Sequence, residues 1–471
     1  MSDSRTRVAI IGGGIAGMSA ALALSEYRNQ FDVTMYESKR YTGGRAGSFV
    51  DEQTGQSVDY CQHVAMGCCT NLLLMMSDAG ISSPFVRYRE LAFHHPNHPP
   101  SKFAKSAILP APFHLLPSLF GLRYLTWRQR CEISWATAGL MRSKRKRLAA
   151  IAARHWLVSK GQSEATIRDY WDIVIASALG ETSDRVSMAA AQKVFVDGFL
   201  ACREASDVLV PTLPLSELFG EVLPRVIEDR GIQIRKGTKV GAVRATEDRK
   251  MVVDVETESV RFDHVIIAAP WFSLAKLLSS ETAIQAGLPA DRFASVPCSP
   301  ISGIHLWFDR PVMDQPHAVF VGTMSQWVFR RSENDDANSK GYVQVVVSAS
   351  HDLRKLDASE VIATVVAEIF NAFPAARAAK LMKGRVVTDP QSVFSLSPAV
   401  DAIRPKSSTA LPCLHLAGDF VQTGWPATME GAVISGRVAA SSVLEQTGYL
   451  ALVIDSGLSR SWLSRLLIRP V

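Results

Sequence analysis

The chain has 471 residues, of which 47% are hydrophobic and 20% charged, and it carries a formal net charge of +6. This composition excludes a collagen-like, coiled-coil or largely disordered chain, and the length favours two domains over a single core. No apolar stretch reaches the ~18 residues that a membrane-spanning helix needs. The sequence shows no secretory signal, and its seven cysteines form no CxxC pair, which predicts a reducing, cytoplasmic compartment.

The first 37 residues predict a strand, a glycine turn, a helix and a second strand. An apolar run at 8–11 leads into GGGIAG at 12–17, and an Ala- and Leu-rich stretch continues to about Tyr27. A second apolar run, 31–36, ends at Glu37. A GxGxxG sequence between a buried strand and a helix is typical of a dinucleotide site.

Each part of this segment has a physical role. Gly12 allows the tight turn, Gly14 lets a pyrophosphate approach the backbone, and Gly17 lets the helix pack closely on the strand. The helix N-terminus supplies free N–H groups and a partial positive charge. Glu37 stands where a carboxylate accepts hydrogen bonds from the adenosine ribose. The cofactor-binding residues predicted from this segment are Gly12, Gly14, Ile15, Ala16, Gly17 and Glu37.

A second glycine loop follows Glu37, with GGRAG at 43–47. Its Arg45, flanked by Gly44 and Ala46, can form charge-assisted hydrogen bonds to the same pyrophosphate. This order, a ribose-binding acid followed by Gly-Gly-Arg, resembles the flavoprotein superfamily of amine oxidases and phytoene desaturases. The resemblance implies that the dinucleotide is FAD rather than NAD.

The C-terminal part of the chain supplies the flavin-side half of such a site. LHLAGD at 414–419 predicts a strand ending in Gly-Asp, and GWPATMEGA at 424–432 opens a helix that continues to about Leu444. In the superfamily it resembles, the aspartate binds the ribityl chain and the helix N-terminus stabilises negative charge on the flavin. The residues that the resemblance assigns to FAD here are Gly418, Asp419, Met429, Gly431 and Ala432, together with Val240, which stands where the family contacts adenine.

The same resemblance implies an α/β fold in which a Rossmann-like FAD-binding domain is interleaved with a second, α+β substrate-binding domain. The segments are 1–85, 205–275 and 397–445 for the FAD-binding domain, 86–204 and 276–396 for the substrate-binding domain, and 446–471 for a C-terminal amphipathic tail. Periodicity predicts that 86–204 is largely helical, whereas 276–396 contains strand candidates at 301–308 and 342–349 and a charged loop at 330–336.

Three segments make the resemblance more specific. DYCQHVAMGCCTNL at 59–72, the stretch 197–218 and GDFVQTGWPATMEGA at 418–432 resemble the hydroxysqualene dehydroxylases of bacterial hopanoid synthesis, also called squalene-associated FAD-dependent desaturases. Tyr60 departs from the Asn or Gly expected at its position. The resemblance implies a reductive removal of the hydroxyl group of hydroxysqualene, giving squalene with reduced FAD as the donor. The sequence does not identify the donor that reduces FAD.

This reaction needs particular side chains near the flavin. Loss of an allylic hydroxyl leaves a delocalised cation that a hydride can quench, and an acid must protonate the departing oxygen. His63 is the candidate acid, and a histidine that only bonds the backbone is the alternative. Asp59 either orients His63 or caps its own segment. Trp425 either forms a wall of the substrate pocket or simply packs.

Other activities of the superfamily stay open to different degrees. Amine oxidases usually place a lysine near the flavin, on a strand of the substrate domain. The chain has no lysine between Lys276 and Lys340, which disfavours amine oxidation. A carotenoid or other polyene desaturase remains an alternative, because its substrate is equally long and apolar. A non-catalytic, flavin-bound partner in a terpenoid assembly is the second alternative.

A triterpene is nearly insoluble in water, so the enzyme is expected to collect it at a bilayer. The apolar, proline-broken stretch 108–120 and the basic run 142–147 favour peripheral attachment to the inner face of the cell membrane. A helix pair that covers the substrate channel, with a solvated charged turn, is the alternative for the same residues. The tail at 458–469 mixes apolar and basic residues and is a second candidate anchor.

Two further patterns are interpreted as structural. His94, His95 and His98 lie in a proline-rich stretch that lacks nearby cysteines, so no metal site is predicted. The basic run is accompanied by no recognisable nucleic-acid-binding module, so no nucleic-acid partner is predicted.

Overall fold

A computed structural model of the chain describes residues 5–55, 57–330 and 341–469. Its strands are β1 (Thr6–Ile11), β2 (Phe31–Glu37), β3 (Ser48–Val50), β4 (Ser57–Asp59), β5 (Ala65–Met66), β6 (Phe85–Tyr88), β7 (Glu90–His95), β8 (His98–Ala104), β9 (Val208–Pro211), β10 (Gln233–Lys236), β11 (Val240–Ala245), β12 (Met251–Val255), β13 (Glu258–Phe262), β14 (His264–Ile267), β15 (Cys298–Phe308), β16 (His317–Phe320), β17 (Trp327–Arg330), β18 (Tyr342–Ser348), β19 (Leu381–Phe394) and β20 (Leu414–Leu416).

The α-helices are α1 (Ile15–Ser25), α2 (Thr70–Asp78), α3 (Leu116–Gly121), α4 (Trp127–Arg142), α5 (Arg145–Leu148), α6 (Ala153–Ser159), α7 (Glu164–Thr166), α8 (Asp172–Leu179), α9 (Met188–Gln192), α10 (Leu215–Glu217), α11 (Leu223–Asp229), α12 (Leu274–Leu277), α13 (Ser280–Gln285), α14 (Ala290–Ala294), α15 (Ala358–Ala372), α16 (Pro398–Ile403), α17 (Met429–Gln446) and α18 (Trp462–Leu467). Three segments are π-helical: Ile167–Trp171, Lys193–Leu200 and Leu218–Val222.

A five-stranded parallel sheet, in the order β10-β2-β1-β14-β20, carries the nucleotide turn. Its central strand β1 is covered on both faces, and Val8, Ala9 and Ile10 have no exposed surface. The last strand, β20, comes from the C-terminal part of the chain. Helices α1 and α17 pack against each other, with Ser19 Oγ donating to Val433 O at 2.9 Å. The two ends of the chain therefore meet in one layer.

A second sheet has seven strands in the order β19-β15-β18-β17-β16-β7-β8. Its pairs are antiparallel except for β16 and β7, which are parallel. Helix α15 buries Val361, Val365 and Ile369 together with the apolar side chains of β15 and β18. The helices of residues 116–200 form what we call the helical layer. A hydrogen bond of 2.8 Å from Trp327 Nε1 to Ser177 Oγ joins this layer to the seven-stranded sheet.

The predicted α/β architecture, with a parallel Rossmann-like sheet and a second domain, is confirmed. The strands of the parallel sheet come from 1–85, 205–275 and 397–445, and those of the seven-stranded sheet from 86–204 and 276–396. Within the described residues, no helix combines the length and the apolar character needed to cross a bilayer.

The structure differs from the sequence-based expectations in three places. The stretch 86–204 begins with a β-hairpin rather than a helix, because β7 gains a partner in β16 that is distant in sequence. The C-terminal helix starts at Met429 and not at the expected 424–432 segment's first residue, Gly424. Gly424 has φ of +81°, and the residues after it form a loop. In the tail, the described residues 447–469 contain only the short helix α18. Most of the predicted charged loop, 331–336, lies outside the described residues.

Candidate functional site

The turn after β1 lets three backbone segments approach one another. Gly12 has φ of +113°, which favours glycine, and a Cβ there would lie 2.6 Å from Ala268 O. A Cβ at Gly17 would overlap Gly12 O. The two glycines therefore place the start of α1 directly above the ends of β1 and β14.

Helix α1 begins at a buried N-terminus that no described side chain caps. Its N-cap residue is Gly14, and Ile15, Ala16 and Gly17 are buried. The first N–H groups of a helix have no intrahelical acceptor, so a buried and uncapped start leaves donors that an anion satisfies. The pyrophosphate of a dinucleotide fits this cradle.

The second glycine loop lies beside the first. Gly43 N donates to Gly13 O at 2.9 Å, and a Cβ on Gly14 would be 3.9 Å from Gly44 Cα. Ala46 is buried at the end of this turn, with Ala46 N donating to Gly43 O at 3.1 Å. The sequence separates these loops by a helix and a strand, and the fold brings them together.

Glu37 connects β2 to the glycine turn. Its Oε2 accepts a hydrogen bond of 2.7 Å from Gly13 N, and its Oε1 accepts one of 2.8 Å from Lys39 N. Thr238 N donates to the backbone carbonyl of Glu37 at 2.9 Å. This bond brings the start of β11, at Val240, next to the end of β2. The carboxylate is thus held in place at the position predicted for ribose recognition.

Arg45 and Asp419, from opposite ends of the chain, form an ion pair. Arg45 Nη2 lies 2.6 Å from Asp419 Oδ1, and Arg45 Nη1 donates to Ser392 O at 2.8 Å. The guanidinium also lies over the ring of Trp271, 5.5 Å from its centroid. The side chain of Arg45 keeps 35% of its surface exposed, so it borders open space rather than the core.

The turn between β20 and α17 is held by hydrogen bonds to the start of the helix. Gly418 has φ of +139°, and its N–H donates to Ser435 Oγ at 2.8 Å. Thr428 caps α17, because its Oγ1 accepts from Gly431 N at 3.1 Å and its carbonyl accepts from Ala432 N at 3.0 Å. Of the ligands predicted at this helix start, Gly431 and Ala432 thus already use their N–H groups, which leaves Met429 as a donor.

Arg404 is a residue of this region that the sequence did not single out. Its buried guanidinium donates hydrogen bonds of 2.7–3.1 Å to carbonyl groups of the loop between β20 and α17. The acceptors are the carbonyl oxygens of Asp419, Phe420, Val421 and Trp425. A single arginine outside any recognisable pattern gives no sequence signal for such a role.

Glu430 is a second residue that sequence reasoning missed. Its buried carboxylate accepts hydrogen bonds of 2.8–2.9 Å from Asn71 N, Asn71 Nδ2 and Leu72 N. Burial raises the pKa of Glu430, and the bonds from Asn71 oppose this rise. The carboxylate thereby fastens the start of α2 to the start of α17.

The three segments that carry the specific resemblance meet in space. A Cβ on Gly198 would lie 3.9 Å from Cys68 Sγ, which joins the second segment to the first. Glu430 of the third segment accepts from Asn71 of the first, and the ring of Trp425 lies 4.5 Å below Nζ of Lys193, four residues before the second segment. Trp425 is partly buried and packs against the core, so the structure supports a packing role and leaves a wall role as a prediction.

His63 is partly accessible and bonded to the backbone. Its Nδ1 lies 2.9 Å from Cys61 O, and since a carbonyl only accepts, Nδ1 carries the hydrogen. Burial lowers the pKa of His63, and the positive charge of Arg45 lowers it further. The neutral ring presents an unprotonated Nε2, and the bond to Cys61 O is the backbone contact stated as the alternative for this residue, so a role of His63 as an acid stays a prediction.

Asp59 lies at the end of β4, where its carboxylate is used by the backbone. Asp59 Oδ1 accepts from Leu215 N at 2.8 Å and from Ser48 Oγ at 2.6 Å. This arrangement caps α10 and ties it to the β3–β4 hairpin. The helix that is capped is α10 and not the segment of Asp59 itself, and an orientation of His63 by Asp59 stays a prediction.

The helical layer turns apolar side chains toward accessible space. Tyr170 keeps part of its side-chain surface accessible, and burial raises the pKa of its hydroxyl group. Partly accessible apolar residues of the same layer are Tyr170, Ile173, Val174, Phe199 and Leu200.

Among the described residues, no three His, Cys, Asp or Glu side chains come together as a metal site.

Comparisons with known proteins agree with this geometry. Residues 15–444 match the family described as Flavin containing amine oxidoreductase. The zeta-carotene desaturase of Synechocystis sp. is 24% identical, over 95% of this chain and 99% of its own length. The 15-cis-phytoene desaturase of an Oncidium hybrid cultivar is 25% identical, over 93% and 78%. The crystal structure of an oxidoreductase from Methanosarcina mazei shares the fold, with a TM-score of 0.70 and 16% identity over 93% of this chain and 100% of that one.

Proposed function

Because the chain belongs to the family of flavin containing amine oxidoreductases and uses FAD, we propose that it desaturates a long, apolar polyene isoprenoid. Similarity to zeta-carotene and 15-cis-phytoene desaturases over nearly the whole chain supports this substrate class. An amine substrate is disfavoured, because β15, the strand on which we expect the amine-oxidase lysine, contains none.

The observation that carries the proposal is the similarity to the desaturases over nearly the whole chain, and His63, whose Nδ1 bonds Cys61 O, is the candidate base. Dehydrogenation of a saturated bond removes a hydride and a proton from neighbouring carbons. When bound, FAD accepts the two electrons of such a hydride. His63 Nε2, unprotonated in the neutral ring, accepts the proton, and the lowered pKa of His63 keeps the ring neutral at pH 7.

The other described residues bind the reactants. Tyr170, Phe199 and their apolar neighbours line the path of the isoprenoid chain and exclude water from it. Trp425 closes the pocket beside Lys193. We propose that FAD is held by Gly12, Gly14, Ile15, Ala16, Gly17, Glu37, Gly44, Arg45, Ala46, Val240, Gly418, Asp419 and Met429, with Gly431 and Ala432 shaping the helix start.

The test uses the FAD-loaded enzyme without oxygen. Oxidised enzyme is mixed with phytoene or zeta-carotene in micelles, and flavin absorbance and polyene products are followed together. Loss of oxidised-flavin absorbance with a product of longer conjugation is the expected result. An unchanged flavin spectrum and no product with either polyene would overturn the desaturase proposal.

Reductive dehydroxylation of hydroxysqualene is the second candidate function. It is favoured by the three segments 59–72, 197–218 and 418–432, which the resemblance links to that activity and which meet in this fold. The reaction consumes one hydride and one proton and releases water, so it needs an acid at the departing oxygen. Photoreduced enzyme mixed anaerobically with hydroxysqualene tests it, since squalene formation with flavin reoxidation supports this candidate. A flavin that responds to neither substrate would favour a non-catalytic partner.

The pH dependence of the rate separates the two roles of His63. As a base, His63 must be neutral, so the rate rises with pH through a pKa below 6.5 and is then constant. As an acid, it must be protonated, so the rate falls over the same range. His63→Gln should remove this pH dependence and slow turnover by about 10²–10⁴-fold with FAD retained, whereas the exposed His155→Gln should change neither. A His63→Gln enzyme with full turnover would exclude His63 from the mechanism.

A further inference from the structure

We infer that the protein docks on an anionic lipid bilayer through a surface formed by α3, α4 and α18, independently of which isoprenoid reaction it performs. The docking patch consists of Ile108, Phe113, Leu116, Trp127, Trp462 and Leu466. It joins the two segments, 108–120 and 458–469, that the sequence marks as apolar and basic. The expected membrane attachment thereby becomes a defined surface.

The members of the docking patch are unusually exposed for large apolar side chains. Ile108 exposes 91% of its surface, Trp462 73% and Leu466 74%. Trp127 is 67% exposed, and the side chains of Phe113 and Leu116 are also exposed. Adjacent exposed side chains of this size mark a surface that is covered in use.

The patch is contiguous although its parts are far apart in sequence. Ser461 Oγ, at the start of α18, donates to Ala111 O at 2.8 Å. This bond places Trp462 beside the proline-broken stretch. On the other side of that stretch, the rings of Phe120 and Trp127 are 5.1 Å apart, so α3 and the start of α4 belong to the same surface.

Positive charge lies at the other end of α18. Arg469 N donates to Met141 O at 2.9 Å, which sets the end of the tail against the end of α4, where the basic run begins. The six residues of α18 span about 9 Å at 1.5 Å per residue. The exposed cations of this region are Arg142, Lys144, Lys146, Arg147, Arg465 and Arg469, none of which forms an ion pair with another described residue.

These features together select a lipid surface as the partner. Tryptophan is the residue type that favours the boundary between acyl chains and headgroups, and an apolar patch beside unpaired cations suits anionic lipid. A second copy of the chain carries the same positive charges, so face-to-face pairing through this surface would place like charges together. The bilayer is therefore the occupant to which the charges are complementary.

The test is co-sedimentation of the full, FAD-loaded chain with vesicles. One set contains phosphatidylcholine alone and the other includes about 30% phosphatidylglycerol. We expect binding to the anionic vesicles that weakens at high salt. The triple variant Ile108→Ser, Trp462→Ser, Leu466→Ser should bind at least about tenfold more weakly. The triple variant Lys144→Gln, Lys146→Gln, Arg147→Gln should lose about fivefold per charge, on anionic vesicles only.

A matched control uses apolar residues that are equally exposed elsewhere. Ile284 and Leu450 expose 79% and 88% of their surfaces, and Ile284→Ser with Leu450→Ser should leave vesicle binding unchanged. Arg145 is kept in all variants, because it donates to Gly424 O. Wild-type protein that does not bind anionic vesicles would overturn the inference. Equal losses of vesicle binding in the patch and control variants would overturn it as well. Conversion of a dimer to a monomer by the patch variant, without vesicle binding by wild type, would instead assign the surface to a second copy.

Discussion

Two glycines of the nucleotide turn are needed for different reasons. Gly12 is required for its conformation, because φ of +113° is a region that side chains rarely allow. Gly17 has ordinary helical backbone angles and is required for space, because any side chain would enter the carbonyl of Gly12. The first requirement concerns the turn alone, whereas the second concerns the packing of α1 on the sheet.

Gly17→Ala should therefore destabilise the protein and release FAD, even though alanine is the better helix former. We expect a loss of about 2–3 kcal/mol in the free energy of unfolding, since α1 must move away from β1. Urea unfolding and the FAD content after gel filtration measure the two effects. Gly139→Ala is the matched control, because Gly139 lies within α4 with open space around its Cα. That variant should gain about 0.5–1 kcal/mol, and a loss of equal size in both would contradict the steric explanation.

At the scale of elements, the loop between β20 and α17 is shaped by one side chain. This loop has little regular secondary structure, so its carbonyl groups need hydrogen-bond donors from other parts of the chain. Arg404 supplies them, with its side chain 3% exposed. The planar fork of an arginine reaches several acceptors at once, which the ammonium group of a lysine does not.

Arg404→Lys should lower the free energy of unfolding by about 2–4 kcal/mol, because buried carbonyl groups lose their donors. FAD should also dissociate faster, since Asp419 belongs to the loop that Arg404 holds. Arg310→Lys provides the control, because Arg310 is largely exposed and pairs with Asp309 at the surface. We expect that control to leave the free energy of unfolding nearly unchanged, because exposed ion pairs contribute little. Equal stability of the two variants would show that Arg404 does not hold the loop.

The contact between α2 and α17 depends on the charge of Glu430. A carboxylate accepts all three hydrogen bonds from Asn71 and Leu72, whereas the amide of a glutamine would turn N–H groups toward N–H groups. Glu430→Gln should cost about 2 kcal/mol in the free energy of unfolding. Glu445→Gln, at an exposed position of the same helix, should cost almost nothing. A Glu430→Gln protein as stable as wild type would mean that these bonds contribute little.

Across the whole molecule, the predictable features are those whose partners are near in sequence. The glycine turn, α1 and Glu37 follow one another along the chain, so their pattern predicted their arrangement. Arg45 and Asp419 were each assigned to FAD through resemblance, but the ion pair between them joins residues 374 positions apart and was not predicted. Asp59 and Arg404 could not be assigned, because Asp59 bonds to Leu215, and Arg404 acts on carbonyl groups whose orientation only the folded loop determines.

The role of His63 is not determined by the sequence either, although its hydrogen-bond partner Cys61 is only two residues away. Its residue type and its segment suggested an acid, and both are visible in the sequence. The direction of its Nδ1 toward Cys61 O depends on the local backbone, and the lowered pKa depends on the burial that the fold provides. Neither property has a signature in the amino-acid order.

Burial of neutral histidines should make the whole protein sensitive to acid. Burial lowers the pKa of His114, His305 and His317 to about 4, and that of His415 to about 3. All four side chains are at most 4% exposed. In the unfolded chain these groups take up protons near 6.5, so below that pH the unfolded state binds more protons than the folded one. The stability is therefore complete above pH 6.5 and is lost as pH falls toward 4.

We expect the free energy of unfolding to fall by up to about 1.4 kcal/mol per pH unit for each histidine between pH 6.5 and 4. Urea midpoints and slopes measured at several pH values over this range give the dependence directly. His415→Gln should reduce the pH slope by up to about 1.4 kcal/mol per pH unit, whatever it does to stability at pH 7, because one titrating histidine is gone. The rest of the slope remains, since burial also lowers the pKa of His63, His94, His95 and His264. The exposed His155→Gln should leave the slope unchanged. A slope that His415→Gln does not alter would show that carboxylates, rather than the buried histidines, govern the response to acid.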